Sequence, residues 1–149
     1  SRIFAQSKRS MTAVFVGFDL ENGDGLAVSS GHPWPFIIGH DTVQPLRVSG
    51  KILGYGDAKS NEVVTFQLRE GESLFLYTDG LIENVGPTGK AFQLRALQKI
   101  LKENCGHSNL KSKVLEQAQL IWKDQKPQDD CTFLFIRRIV PYSTRHDDK

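Results

Sequence analysis

The sequence predicts an α+β fold, an antiparallel β-sandwich with flanking helices, from three observations. Strand-like segments crowd the first half of the chain, two segments with helical apolar spacing follow, and one more strand-like run comes after the second of these. Strands gathered in a run and followed by a helix pair fit segregated layers rather than alternating βαβ units. A chain of 149 residues is about one domain's length and buries enough surface to need no staple.

The elements follow in order. Thr12 to Asp19 is apolar on both alternating faces, the pattern of a strand in the middle of a sandwich. Asn22-Gly23 and Asp24-Gly25 supply turn chemistry, because glycine accepts positive φ without steric cost, and Leu26 to Ser30 returns as the hairpin partner. Pro33 and Pro35 break the run. Phe36 to Ile38 and Leu46 to Val48 read as short strands, Val63 to Leu68 as a half-exposed one, and Ser73 to Thr78 as apolar on both faces after a turn at Glu70-Gly71-Glu72. A first helix over Lys90–Glu103 aligns Leu94, Leu97, Ile100 and Leu101, with Gly106 beyond it as a stop. A second begins at Ser108 or Asn109, both good N-caps, aligns Leu110, Val114, Ala118, Ile121 and Trp122, and ends before Pro127. Cys131 to Arg138 is the closing strand. Residues 1–10 read as an N-terminal extension or expression remnant, 11–140 as the folded unit, and 141–149 as a polar tail.

Composition removes several function classes. Hydrophobic residues at 39% and charged residues at 24% describe a globular chain, not a disordered one. Nineteen basic against 17 acidic residues leave a net charge of +2. The basic pairs Lys8-Arg9 and Arg137-Arg138 form no stripe interleaved with aromatics, so no nucleic-acid partner is expected. No apolar stretch approaches the ~20 residues of a membrane span. Cys105 and Cys131 give neither a disulfide framework nor metal spacing, and a cytoplasmic setting is the expectation. Trp34 and Trp122 read as rim or core packing, and Lys111, Lys113 and Lys123 as a solvated helix face.

The acidic residues are more informative. Asp79 directly follows the strand 73–78, and Asp129 and Asp130 directly precede the last strand. If those strands are antiparallel neighbours, three carboxylates meet at one sheet edge, with Glu83 close by. Such a cluster is tolerable with a cation among its members, and hard oxygen ligands favour Mg²⁺ or Mn²⁺. Spacing alone leaves open the other reading, in which Asp79-Gly80 is a turn and Asp129-Asp130 caps a loop.

Gly31-His32-Pro33, Tyr77-Thr78-Asp79-Gly80-Leu81-Ile82-Glu83 and Asp129-Asp130-Cys131-Thr132 occur in that order. Together they resemble the metal-dependent PPM phosphatases, specifically the RsbU-like, sporulation-stage-II-E type of bacterial serine phosphatase. The resemblance runs from about Met11 to Arg138. It implies two antiparallel sheets flanked by helices and hydrolysis of phosphoserine or phosphothreonine on a protein by water activated between two Mn²⁺ or Mg²⁺ ions. It assigns Asp79 and Asp129 to metal binding and places Gly80, Asp130, Glu83 and His32 beside the metals, with no catalytic residue beyond the metal ligands. The implied partner is a phosphorylated protein such as an anti-sigma-factor antagonist. One departure bears on activity: the family's N-terminal Gly-Asp-Tyr/Phe-type motif and a second Asp-Gly-rich segment have no match here, and Asp19, Asp24 and Asp57 do not replace them. The expectation is therefore the C-terminal part of such a domain, holding part of the dinuclear site, with exposed strand edges open to self-association. The alternative is a non-catalytic interaction module on the same scaffold.

Overall fold

The computed structural model describes residues 10–54, 61–123 and 125–139. Two antiparallel sheets organise them. Strand β1 (Ala13–Phe18) pairs with β2 (Asp24–Ser30) in the expected hairpin. Asp19 closes its turn: Oδ1 accepts from the backbone N–H groups of Glu21 and Asn22, and Gly23 takes a φ of +81°. Strands β3 (Phe36–Ile38) and β4 (Val43–Pro45) form a second hairpin closed by a bond from Gly39 N–H to the Thr42 carbonyl. Strand β5 (Val63–Gln67) adds to β2, giving a three-stranded sheet in the order β1-β2-β5. Strands β6 (Ser73–Tyr77) and β7 (Phe133–Arg137) complete a four-stranded sheet in the order β4-β3-β6-β7.

Three helices separate β6 from β7: the single turn α1 (Gly80–Glu83), then α2 (Leu94–Glu103) and α3 (Leu110–Trp122). The larger core lies between the helix pair and one face of the four-stranded sheet, where Phe36, Ile38, Phe75 and Tyr77 meet Leu97, Leu101, Val114, Ala118 and Trp122. Its centre is aromatic, with Phe75 4.5 Å from Phe135 and 5.4 Å from Tyr77 between ring centroids. A smaller core joins the three-stranded sheet, through Val16, Ala27, Val64 and Phe66, to Leu46 and Val48. Arg138 ties the end of β7 to the smaller sheet, its guanidinium donating to the carbonyls of Leu68 and Glu21.

Several expectations are corrected. Strand β1 lies at a sheet edge, not mid-sandwich, and Phe15 is 64% exposed. The short strand falls at Val43–Pro45 rather than at Leu46 to Val48. The tight turn after β3 sets the ladder upstream, and Leu46 and Val48 instead point into the smaller core. The first helix starts at Leu94, because Lys90 and Ala91 fold back on Gly86 and Val85, and Gln93 takes a φ of +62° as its N–H bonds the Ile82 carbonyl. At the second helix Asn109 is the N-cap residue but makes no side-chain capping bond. The last strand starts at Phe133, and its Leu134 is 52% exposed, so this edge strand is not buried on both faces. Residues 1–9 and 140–149, and Asp57, lie outside the described residues.

Candidate functional site

The site begins with the pairing of β6 and β7. Their antiparallel register places Tyr77 opposite Phe133, so the end of one strand and the start of the other meet at one edge, as the sequence reading required. The pairing runs one step further, with Thr78 N–H donating to the Thr132 carbonyl at 2.9 Å. The Thr78 hydroxyl donates to the Asp130 carbonyl at 3.1 Å and accepts from Thr132 N–H at 3.0 Å. Asp79 then caps α1, its Oδ1 accepting from Gly80 N–H at 3.0 Å.

Gly80 brings the two acidic segments into contact. A Cβ at this position would lie 2.3 Å from the Asp130 carbonyl oxygen and 3.3 Å from that of Asp129, so only glycine fits without moving the backbone. Asn84, 3% exposed, fastens the junction. Its amide Nδ2 donates to the carbonyls of Gly80 at 2.7 Å and Asp129 at 2.8 Å. Its Oδ1 accepts from the N–H groups of Gln128 at 2.8 Å and Asp129 at 2.9 Å. A side-chain amide carries two donors and an acceptor with two lone pairs, and here all are used to hold one loop against another. The Asp129 carboxylate in turn accepts from Asp130 N–H at 2.8 Å.

The candidate residues therefore fall into two neighbouring groups. Asp79, Gly80, Asp129 and Asp130 meet through their backbones at the β6–β7 edge. Asp79 also lines a pocket of about 440 Å³ together with Glu83 and His32. His32 sits there half-buried, its backbone N–H bonded to the Ser29 hydroxyl and its Nδ1 3.1 Å from the Pro33 carbonyl oxygen. Among the described residues, no three His, Cys, Asp or Glu side chains are grouped so as to hold one metal ion. The expected meeting of three carboxylates is thus a meeting of the chain segments that carry them. At each of Asp79 and Asp129, Oδ1 takes one backbone N–H bond, and none of the described residues donates to Oδ2. Hard oxygens of this kind suit Mg²⁺ or Mn²⁺ as part of a ligand set, not as a whole one.

Sequence reasoning passed over Asn84 and gave Thr78 no role of its own. For Thr78 the signal was its place as the single residue between the strand and Asp79, whereas Asn84, at the far end of α1, gave no such signal. Their burial could not be read from one sequence. Beside these residues, burial raises the pKa of the Cys131 thiol and that of Tyr77, the latter to about 12.

Two antiparallel sheets, a helix pair on the larger one and an aspartate turn at its edge define the class, a PP2C-type phosphatase fold. The chain belongs to the stage II sporulation protein E (SpoIIE) family, whose model matches residues 2–139. No curated protein matches it in sequence. Its fold is similar to the SiaA-PP2C domain of Pseudomonas aeruginosa, with a TM-score of 0.70 and 21% identity over 86% of this chain and 52% of that one. It is also similar to the RsbU and RsbW domains of Rv1364c from Mycobacterium tuberculosis, with a TM-score of 0.66 and 23% identity over 87% and 37% of the two chains. The phosphatase domain of the cell fate determinant SpoIIE from Bacillus subtilis, presoaked with Mn, gives 0.64 and 20% over 86% and 56%. The chain thus spans between 37% and 56% of these three structures.

Proposed function

We propose that this chain is part of a protein serine/threonine phosphatase that acts on a phosphoprotein in bacterial signalling, an anti-sigma-factor antagonist being the substrate class the family suggests. In this reading Asp79 and Asp129 are metal ligands, and Gly80, Asp130, Glu83 and His32 lie beside the metal. The observation that carries it is the contact of Gly80 with the Asp129–Asp130 backbone, fastened by Asn84 and Thr78. The β6–β7 ladder brings together two acidic segments 50 residues apart, and these contacts hold their loops beyond the end of that ladder. Two Mn²⁺ or Mg²⁺ ions, when bound, supply a water of lowered pKa and hold the phosphate oxygens. The chain's own residues prepare for this: the backbone N–H groups of Gly80 and Asp130 fix Oδ1 of each carboxylate, so neither has to be ordered on binding.

The remaining ligands would come from outside these residues, which fits both the match to only part of the SiaA and SpoIIE phosphatase domains and the absence of a three-ligand group among the described residues. That same absence favours the second reading, a non-catalytic interaction module on a phosphatase-like scaffold. No helix among the described residues is long and apolar enough to cross a membrane, and the proposed setting is the cytoplasm.

The test is Mn²⁺-dependent release of phosphate from a phosphoserine peptide, with Asp79→Asn alongside and Mn²⁺ binding measured on both. Hydrolysis that vanishes in the variant supports the phosphatase with all ligands within reach of this chain, through itself or a second copy. Binding of Mn²⁺ that depends on Asp79, without hydrolysis, supports the partial site. Neither binding nor hydrolysis supports the interaction module.

A further inference from the structure

The pocket beside Asp79 has an asymmetric wall. Pro33 and Pro35 pin the backbone on either side of Trp34, which is left 42% exposed at the rim. Arg47 lies between the inward-facing Leu46 and Val48, so alternation turns it outward to the same rim, and its guanidinium carbon sits 5.9 Å from the centre of the Trp34 ring. No carboxylate among the described residues lies within ion-pair distance of Arg47. Asp79 and Glu83 line the same pocket, and Phe36 and Ile82 give it an apolar lining. A guanidinium over an aromatic ring at this distance still has N–H groups free to donate, and their fork matches a carboxylate in bidentate fashion.

We propose that this pocket binds the substrate segment next to the phosphoserine, and that Arg47 is a specificity residue pairing with an acidic side chain on that segment. The inference rests on the phosphatase reading and deepens it. An acidic side chain suits the Trp34–Arg47 end of the pocket, because Arg47 has no carboxylate partner among the described residues and the carboxylates of the lining, Asp79 and Glu83, come from the β6–α1 side. A chain seated there carries its neighbouring phosphoserine toward the β6–β7 edge.

The experiment measures fluorescence anisotropy of labelled peptides bound to the whole chain in Mn²⁺. The peptides contain unmodified serine, so that binding reports the pocket and not the phosphate, and they differ only in whether Asp/Glu, Ala or Lys flanks the serine. The acidic peptide is expected to bind about fivefold tighter than the alanine peptide. Arg47→Ala should erase that ratio, and Arg47→Glu should transfer the preference to the lysine peptide. Arg47 is exposed, so both variants should fold. Equal binding of the acidic and alanine peptides to the unaltered chain, absence of binding, or a ratio that survives Arg47→Ala overturns the proposal. Phosphate release from the matched phosphopeptides is read in parallel. An Arg47-dependent preference with no hydrolysis and no Mn²⁺ binding counts against the phosphatase reading and leaves the pocket as an acidic-peptide site. Hydrolysis reduced by Arg47→Ala to the same extent for every flank would mean that Arg47 meets the phosphate instead, and overturns the specificity role.

Discussion

Asn84 makes more of the site's contacts than either aspartate does. Asn84→Ala removes four hydrogen bonds, leaving the buried Gly80 carbonyl and the part-buried backbone groups of Gln128 and Asp129 without that partner. We expect a loss of about 3 kcal/mol in urea denaturation, and weaker Mn²⁺ binding even though both aspartates remain. Asn84→Asp is the sharper variant: it keeps the acceptor but donates to neither carbonyl and adds a negative charge. Gly80→Ala drives a Cβ into the Asp130 carbonyl and should cost about 2 kcal/mol with the acidic loop displaced. Tyr77 offers a pH test. Burial holds its phenol protonated up to about 12, against about 10 in an unfolded chain. The unfolded chain therefore loses that proton first, and the stabilisation, complete below pH 10, is lost as pH rises through 12. Tyr77→Phe should flatten this part of the curve of stability against pH.

Among the elements, β6 bears most of the fold, since it pairs on both sides and carries Phe75 at the centre of the aromatic cluster. Phe75→Ala is expected to cost about 3–5 kcal/mol in chemical denaturation, whereas Leu134→Ala on the exposed side of β7 should cost well under half of that. The strands that were legible in the sequence were those whose identity rests on local pattern: the Asp19–Asp24 hairpin, Val63 to Gln67, and Ser73 to Tyr77. Helix α3 was legible because Leu110, Val114, Ala118 and Trp122 mark a buried stripe on their own. Misplaced elements depend on distant partners. Leu46 and Val48 alternate like a strand, but their burial comes from the smaller sheet, not from a ladder. Lys90 to Gln93 have helical neighbours, yet their backbone bonds go to Gly86 and Ile82.

At the scale of the whole molecule, the described residues cover one face of the three-stranded sheet and leave the other open. Phe15, Leu26 and Val63 share the open face by the register of β1, β2 and β5, and each is exposed. Together with the edge of β1, which no strand among the described residues covers, this predicts concentration-dependent self-association in sedimentation velocity, reduced by Phe15→Lys. The sequence showed where the acidic motifs lie and that they would meet if the flanking strands paired, and the β6–β7 register supplies that pairing. The sequence could not show that the meeting is a backbone contact fastened by Asn84 and Thr78, because only the fold reveals which polar side chains are buried between two loops. The central claim is that this junction presents Asp79 and Asp129 to a divalent cation. The most direct measurement is titration calorimetry of Mn²⁺ into the unaltered chain, Asp79→Asn, Asp129→Asn and, as a control on the opposite end of the sandwich, Asp24→Asn. The account predicts binding by the unaltered chain and the control, with at least a tenfold loss in either site variant, about 1.4 kcal/mol. Binding by Asp79→Asn and Asp129→Asn equal to that of the unaltered chain would contradict it.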